Sequence, residues 1–267
     1  MYPLLFQNTP FVVSSWLFFY VLSSLSAYFW VEFTLKRKNK WDELNFWPRL
    51  YVVLYLSGWA GARALSIVME QFEVSTPMQW VQALFSFGPM TFYGGALACG
   101  LTGTLAVIWK KQSTGIWLDH LIPAGILALA VGRLGCFLNG DDYGRPVDSG
   151  WQWLGFGVPG LDSEPVLRYP APLLEAFGAF VLCGLFTWKL CHESSRKCKS
   201  GFLGWSAILS SALLRFAVEC VRGDPRGRFF KTSLSTSQGI ALVLILSALG
   251  AMIYLVYPIG KTSDEKK

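Results

Sequence analysis

Residues 115–138 read GIWLDHLIPAGILALAVGRLGCFL. The stretch is apolar over enough length to cross a bilayer, since about 20 residues at about 1.5 Å each cover a hydrocarbon core of roughly 30 Å. Near its end sits Arg133. A bare charge near the bilayer centre costs roughly 2.5–3.5 kcal/mol even on the mildest scale, so this arginine needs a partner or a task.

Working outward, six more runs have the same character, at about 11–35, 48–69, 88–109, 170–191, 201–222 and 236–257. The expected fold is therefore all-α: a polytopic membrane protein with about seven transmembrane helices, read as one integral membrane domain over 1–267. A 53% hydrophobic and 15% charged composition excludes a disordered chain and argues against a soluble enzyme domain. The run from Phe11 to Leu35 follows no basic start and has no small-residue cleavage site, so it is expected to stay as the first span.

A net charge of +6 would suggest nucleic acid in a soluble protein, but here the bases lie between apolar runs, and no nucleic-acid partner is expected. Seven spans put the termini on opposite sides. Lys36-Arg37-Lys38-Asn39-Lys40, Lys110-Lys111, Arg196-Lys197-Cys198-Lys199 and the charged tail 260–267 then share one side, which the positive-inside rule makes cytoplasmic. The N-terminus is expected outside and the C-terminus inside. On the outer side, 70–87 has no base, 139–169 has Arg145 and Arg168, and 223–235 has Arg226, Arg228 and Lys231. Segment 139–169 is too polar to span and too long for a turn; with Trp151, Trp153, Pro159 and Gly160 it reads as a small extracytoplasmic cap.

No inverted repeat is visible, which argues against a transporter. Cys99, Cys136, Cys183 and Cys220 fall in apolar runs and Cys191 and Cys198 in a basic loop, so no structural disulfide is expected. Cys191, His192 and Cys198 lack a fourth ligand at zinc spacing, and neither a metal nor a cofactor is expected. Small residues at four-residue spacing, such as Ala60 with Ala64 and Gly94 with Ala98, fit close helix contacts.

Further ionisable residues share the membrane with Arg133: Arg63, Glu175, Arg215, Glu219 and, at spacing i, i+4, i+7 on one helix face, Arg222. Arg215 and Glu219 could simply lock helices together. Four arginines against two carboxylates leave room for an external anion, and Arg133 and Arg215 lie on the order of 10 Å below the outer helix ends. That depth suits a lipid phosphate, which arginine forks bind well.

The end of the opening stretch continues Gly132-Arg133-Leu134-Gly135-Cys136-Phe137-Leu138-Asn139-Gly140-Asp141-Asp142-Tyr143-Gly144. This string resembles the signature of the bacterial prolipoprotein diacylglyceryl transferase family, Gly-Arg-x-Gly-Asn-Phe-x-Asn-x-Glu-x-x-Gly, with Asp141 in place of the glutamate. Phe92-Tyr93-Gly94-Gly95 resembles the family's Phe-His-Gly-Gly, Tyr169 to Glu175 its His-Pro-Ser-Gln-Leu-Tyr-Glu, and Leu214 to Arg222 its Phe-Arg-Phe-x-x-Glu-x-x-Arg. Gln238-Gly239 resembles a Gly-Gln-rich segment of the family. The departures are Tyr93, Cys136, Tyr169, Leu174, Ser211 and Trp16, so the chain looks like a divergent member.

The resemblance implies a transferase of the bacterial inner membrane. In its reaction the thiol of a lipobox cysteine, in the signal peptide region of a prolipoprotein, attacks the glycerol carbon of phosphatidylglycerol. Glycerol phosphate leaves and a thioether forms. The implied catalytic residues are Tyr93, Arg133 and Arg215; those implied to bind substrate are Asn139, Asp141, Gly144, Glu219, Arg222, Gly94 and Gly95. Glu219 is expected to pair with an arginine and not to act as the base. The base is open: a free tyrosine titrates near about 10 and the family's histidine near neutrality, so either Tyr93 with an acidified phenol or a substrate thiol acidified by the arginines would serve. Two alternatives are a catalytically lapsed paralogue that binds anionic phospholipid or lipoprotein, and a transferase with a different acceptor.

Overall fold

The structure is a computed structural model that describes residues 4–5, 12–69, 76–85, 88, 90–158, 166–192, 199–224 and 234–257. Phe11, Pro159, Gly160, Arg196, Lys197, Cys198, Arg226, Arg228, Lys231 and the tail 260–267, all read above, lie outside the described residues.

Among the described residues eight α-helices follow in chain order: α1 Ser15–Arg37, α2 Trp41–Met69, α3 Pro77–Phe85, α4 Phe92–Trp109, α5 Thr114–Asn139, α6 Ala171–His192, α7 Phe202–Glu219 and α8 Thr236–Val256. All except α3 are long and apolar enough to cross a membrane, and the chain is an all-α polytopic membrane protein. Their lipid-compatible character shows in the many exposed large apolar side chains, among them Leu97, Phe177 and Leu246.

Three boundaries differ from the hydropathy reading. α2 begins at Trp41, ahead of its internal Pro48, because Asp42 and Glu43 in its first turn favour a helix N-terminus that an apolar window does not register. Part of segment 70–87, read as a connector without bases, forms the short helix α3. α7 stops at Glu219, so Arg222 does not share a helix face with Arg215 and Glu219. Cys220 N–H and Val221 N–H donate to Ala217 and Val218, tightening the last turn. The chain then runs extended, where Arg222 bridges Gly144.

The chain divides into a smaller unit, residues 35–114, and a larger one, residues 1–34 and 115–267. In the smaller unit α2 packs along α4 through small residues. A Cβ on Gly94 would collide with the Gly61 carbonyl oxygen and with Leu65, and one on Gly95 would come within 3.0 Å of the Gly58 oxygen. Ser57 and Thr102 hydroxyls join across the contact at 2.8 Å. Arg63 is buried here; its Nε donates to the Ala83 carbonyl of α3 at 2.9 Å.

In the larger unit α7 packs on both α6 and α8. Trp30 Nε1 of α1 donates to Thr187 of α6 at 3.0 Å, and Thr34 of α1 meets His120 of α5 at 2.8 Å. The α7 N-terminus is capped from another helix: Asp119 Oδ2 and Oδ1 on α5 accept from Gly201 and Gly204 N–H at 2.8 and 2.7 Å, an anion against the positive helix end. α8 opens with a capping box, Ser235 and Gln238 each bonding the other's backbone at 3.1 Å.

Candidate functional site

Segment 140–148 leaves α5 and is threaded between two other strands of chain. Arg145 N–H donates to Val221 (2.9 Å) and Gly223 N–H to Tyr143 (3.2 Å) on one side; Gly144 N–H donates to Tyr169 (3.0 Å) and Val147 N–H to Leu167 (2.9 Å) on the other. Gly144 sits at the crossing, where a Cβ would lie 2.7 Å from Tyr169 Cβ and 2.9 Å from the Val221 oxygen. Its glycine identity follows from this close approach. Phe156–Gly157 and Leu167–Arg168 pair as a short antiparallel ladder beyond it.

This threading delivers the end of α5 to the ends of α6 and α7, and their charges form a continuous chain. Glu175 of α6 is 1% exposed and faces two arginines. Arg215 Nη1 donates to it at 3.0 and 3.2 Å. Arg133 Nε lies 2.7 Å away as a charge contact rather than an aligned hydrogen bond. Arg215 continues through Nη2 to Glu219 at 3.0 Å and to the Ser237 hydroxyl at 3.3 Å, and Ser235 donates to Glu219 at 2.8 Å. In the other direction Arg133 Nη1 pairs with Asp142 Oδ2, and Asp142 Oδ1 pairs with Arg222 Nη2. Arg222 in turn makes a bidentate fork on Asp224 at 2.9 and 3.1 Å.

Three arginines thus alternate with four carboxylates among the described residues. The surplus of arginine over carboxylate read from the sequence is corrected: Asp142 and Asp224, outside the apolar runs, supply the extra anions, and Arg63 belongs to the smaller unit. Burial opposes the charge on Arg222, but its hydrogen bonds and ion pairs with Asp224 and Asp142 outweigh this and hold its pKa above the usual arginine value.

Arg133, Arg215, Glu219, Arg222 and Gly144 meet in this cluster. Asp141 does not carry its charge into the chain: it accepts from Asn139 Nδ2 and lines a cleft with Phe137, Tyr143, Phe156 and Tyr169. The aspartate between the arginines is its neighbour Asp142, because Asp142 takes left-handed backbone geometry (φ 60°) after Gly140 (φ 89°), and this turn swings alternate side chains to opposite sides. Tyr93, Gly94 and Gly95 lie in the smaller unit, where the two glycines serve the α2–α4 contact. Tyr93 stands in the first turn of α4, its ring edge-on to Phe92 at 5.8 Å.

The residues at the family's altered positions have found other partners. Cys136 Sγ lies 3.8 Å from Arg133 Nη1, Tyr169 donates to Asp148 at 3.2 Å beneath the Arg145 guanidinium, and the Ser211 hydroxyl bonds back to Ile208 of its own helix. Sequence reasoning noted Glu175 as an intramembrane charge without giving it a role. It missed Asp142, Asp224, Ser235 and Ser237. The doubled Asp141-Asp142 was a visible signal; the serines gave none.

Chemically, such a chain presents several preorganised guanidinium groups to charge that develops on a phosphate oxygen. Arg133 and Arg215 are 15% and 17% exposed and Asp142 24%, against 1% for Glu175, so the cluster opens at Asp142 and closes at Glu175.

Comparison with known proteins gives a consistent result. The family model described as prolipoprotein diacylglyceryl transferase matches residues 3–254. The phosphatidylglycerol–prolipoprotein diacylglyceryl transferase of Aromatoleum aromaticum is 31% identical over 220 residues, covering 79% of this chain and 76% of that protein. The protein of the same name from Pseudoalteromonas atlantica is 28% identical over 277 aligned residues, 95% of this chain and 89% of its own. That from Solidesulfovibrio magneticus is 35% identical over 145 residues, 52% of this chain and 51% of its own.

Proposed function

Since the chain belongs to the prolipoprotein diacylglyceryl transferase family, we propose that its arginine–carboxylate chain carries the transfer of a diacylglyceryl group from phosphatidylglycerol to a prolipoprotein cysteine. The observation that carries this reading is the convergence of Arg133 and Arg215 on Glu175, with the open end of the cluster at Asp142.

In the proposed step the lipobox cysteine sulfur, as thiolate, attacks the glycerol carbon that bears the phosphate. A C–S bond forms, the C–O bond breaks, and glycerol phosphate departs with the electron pair. Displacement of this kind needs alignment and stabilisation of the leaving phosphate more than covalent help. Arg133 and Arg215 supply that stabilisation, and Glu175 and Glu219 hold their forks. Glu219, paired with Arg215 and accepting from Ser235, is an orienting anion and not a base. Arg222 binds the headgroup, with Asn139 and Asp141 holding polar atoms at the adjoining cleft. The thiol proton goes either to Tyr93 or, from a thiol acidified by the arginines, to solvent. The protein stands in the bacterial inner membrane with its N-terminus outside.

The test is incubation of the purified full chain with phosphatidylglycerol and a lipobox peptide, read by mass spectrometry. A peptide mass gain of one diacylglyceryl group is expected. Retained binding of phosphatidylglycerol with no mass gain would instead identify a lapsed member of the family.

A further inference from the structure

Asp142 is the carboxylate of the cluster that sits in a turn, neither on a helix nor beside an arginine in sequence, so its side chain can swing out without a helix moving. Glu175 and Glu219 project from α6 and α7 and are 1% and 4% exposed. Asp224 is two residues from Arg222 and bound to it twice. Asp142 sits instead in the short turn between Gly140 and Gly144, in left-handed geometry, 24% exposed and at the open end of the cluster. Aspartate tolerates that conformation better than most residues, but it is still an uncommon one.

Its two oxygens divide between two arginines, Oδ2 to Arg133 and Oδ1 to Arg222. This two-point arrangement is the one that the two non-bridging oxygens of a phosphodiester present to a pair of guanidinium groups. Arg222 also holds a nitrogen in reserve: among the described residues its Nη1 is buried without a hydrogen-bond partner, on a side chain 3% exposed. A buried guanidinium N–H left unused is costly, and a phosphate, with more acceptor sites than a carboxylate, can reach it.

We propose that Asp142 is a resident stand-in for substrate phosphate, occupying the seat between Arg133 and Arg222 until the phosphodiester of an anionic lipid headgroup displaces it, and thereby setting the headgroup affinity. This rests on the reading of the cluster as the phosphatidylglycerol site. The lipid then binds with an apparent affinity reduced by the fraction of molecules whose seat is open. Binding and release exchange one anion for another, so the arginines are never left buried without a counter-charge.

The experiment uses the detergent-purified full chain and dihexanoyl phosphatidylglycerol as a soluble probe, with inorganic phosphate as a second probe. Asp142→Asn is expected to bind dihexanoyl phosphatidylglycerol roughly tenfold more tightly than the unsubstituted chain, while Asp142→Glu, which keeps the charge, gains nothing. Unchanged or weaker lipid binding in Asp142→Asn overturns the proposal. Tighter binding of inorganic phosphate without tighter binding of the lipid overturns the lipid assignment and leaves a phosphate seat. A second measurement needs no variant: carbodiimide-driven amine labelling of the Asp142 carboxyl, read by peptide mass spectrometry. Labelling is expected to rise when the lipid probe is added, and equal or lower labelling overturns displacement. Failure of peptide lipidation with intact Asp142 displacement would sink the transferase reading alone. Lipidation with an immobile Asp142 would sink this inference alone.

Discussion

Glu175 is nearly inaccessible and its charge is compensated by Arg133 and Arg215 together. Glu175→Gln keeps the shape and removes the anion, leaving two buried cations facing a neutral amide. Breaking a buried pair in this way costs about 3–5 kcal/mol, so the variant should unfold at a clearly lower temperature in detergent. An unchanged melting curve would mean that Asp142 and Glu219 suffice to compensate the two arginines without Glu175. Tyr93 is tested by a pair of substitutions. Tyr93→Phe should abolish peptide lipidation if the phenol takes the thiol proton, and Tyr93→His should preserve or raise it by supplying a base that titrates near neutrality. Full activity in Tyr93→Phe would assign proton removal to solvent or to the substrate's own acidified thiol. Arg133 and Asp142 show how unevenly such residues announce themselves. An arginine in an apolar run stands out by its cost, whereas Asp142 looks like any polar residue in a loop until its backbone conformation turns it inward.

Among the helices, α2 and α4 meet through Gly58, Gly61, Gly94 and Gly95 with almost no side-chain volume between them. Gly94→Val inserts a branched side chain against the Gly61 backbone. Overpacking of this kind costs typically about 1–3 kcal/mol, expected as a lower melting temperature. Equal stability would show that α4 can move aside. On α4 the contact was legible in Gly94 and Ala98, small residues at four-residue spacing with a direct steric meaning, whereas on α2 the close approach is at Gly58 and Gly61 and not at the Ala60 and Ala64 of the sequence pattern. The end of α7 was not legible. Its apolar run continues to Arg222, yet the helix stops at Glu219 because Val221 and Arg222 pair with the 144–145 backbone instead. A window of hydropathy has no knowledge of a partner strand supplied by the distant 144–145 loop. Asp119 is similar: near the start of its run it carries no signal of its own, and its use as a cap for α7 depends on which helix lies beside it.

For the molecule as a whole, seven apolar helices and the clustering of Lys36–Lys40 and Lys110-Lys111 in two connectors imply a topology that can be read directly. A green fluorescent protein fused after Lys267 should fluoresce, and an alkaline phosphatase fused there should be inactive, placing the C-terminus in the cytoplasm. The reverse pair of results would invert the chain and put the arginine cluster on the cytoplasmic side, where a secreted precursor's lipobox is not presented.

The bilayer as solvent, the apolar spans and the cost of the charges within them follow from residue type along a short window, because hydrophobic transfer energies sum locally. How those charges are paired follows from the fold alone. Arg215 meets Glu175 across 40 residues and Arg222 meets Asp142 across 80, and the choice of Asp142 over Asp141 rests on a single left-handed turn. An ion pair acts over a few ångströms of space, and chain separation carries no record of which distant carboxylate the loops will bring within that distance.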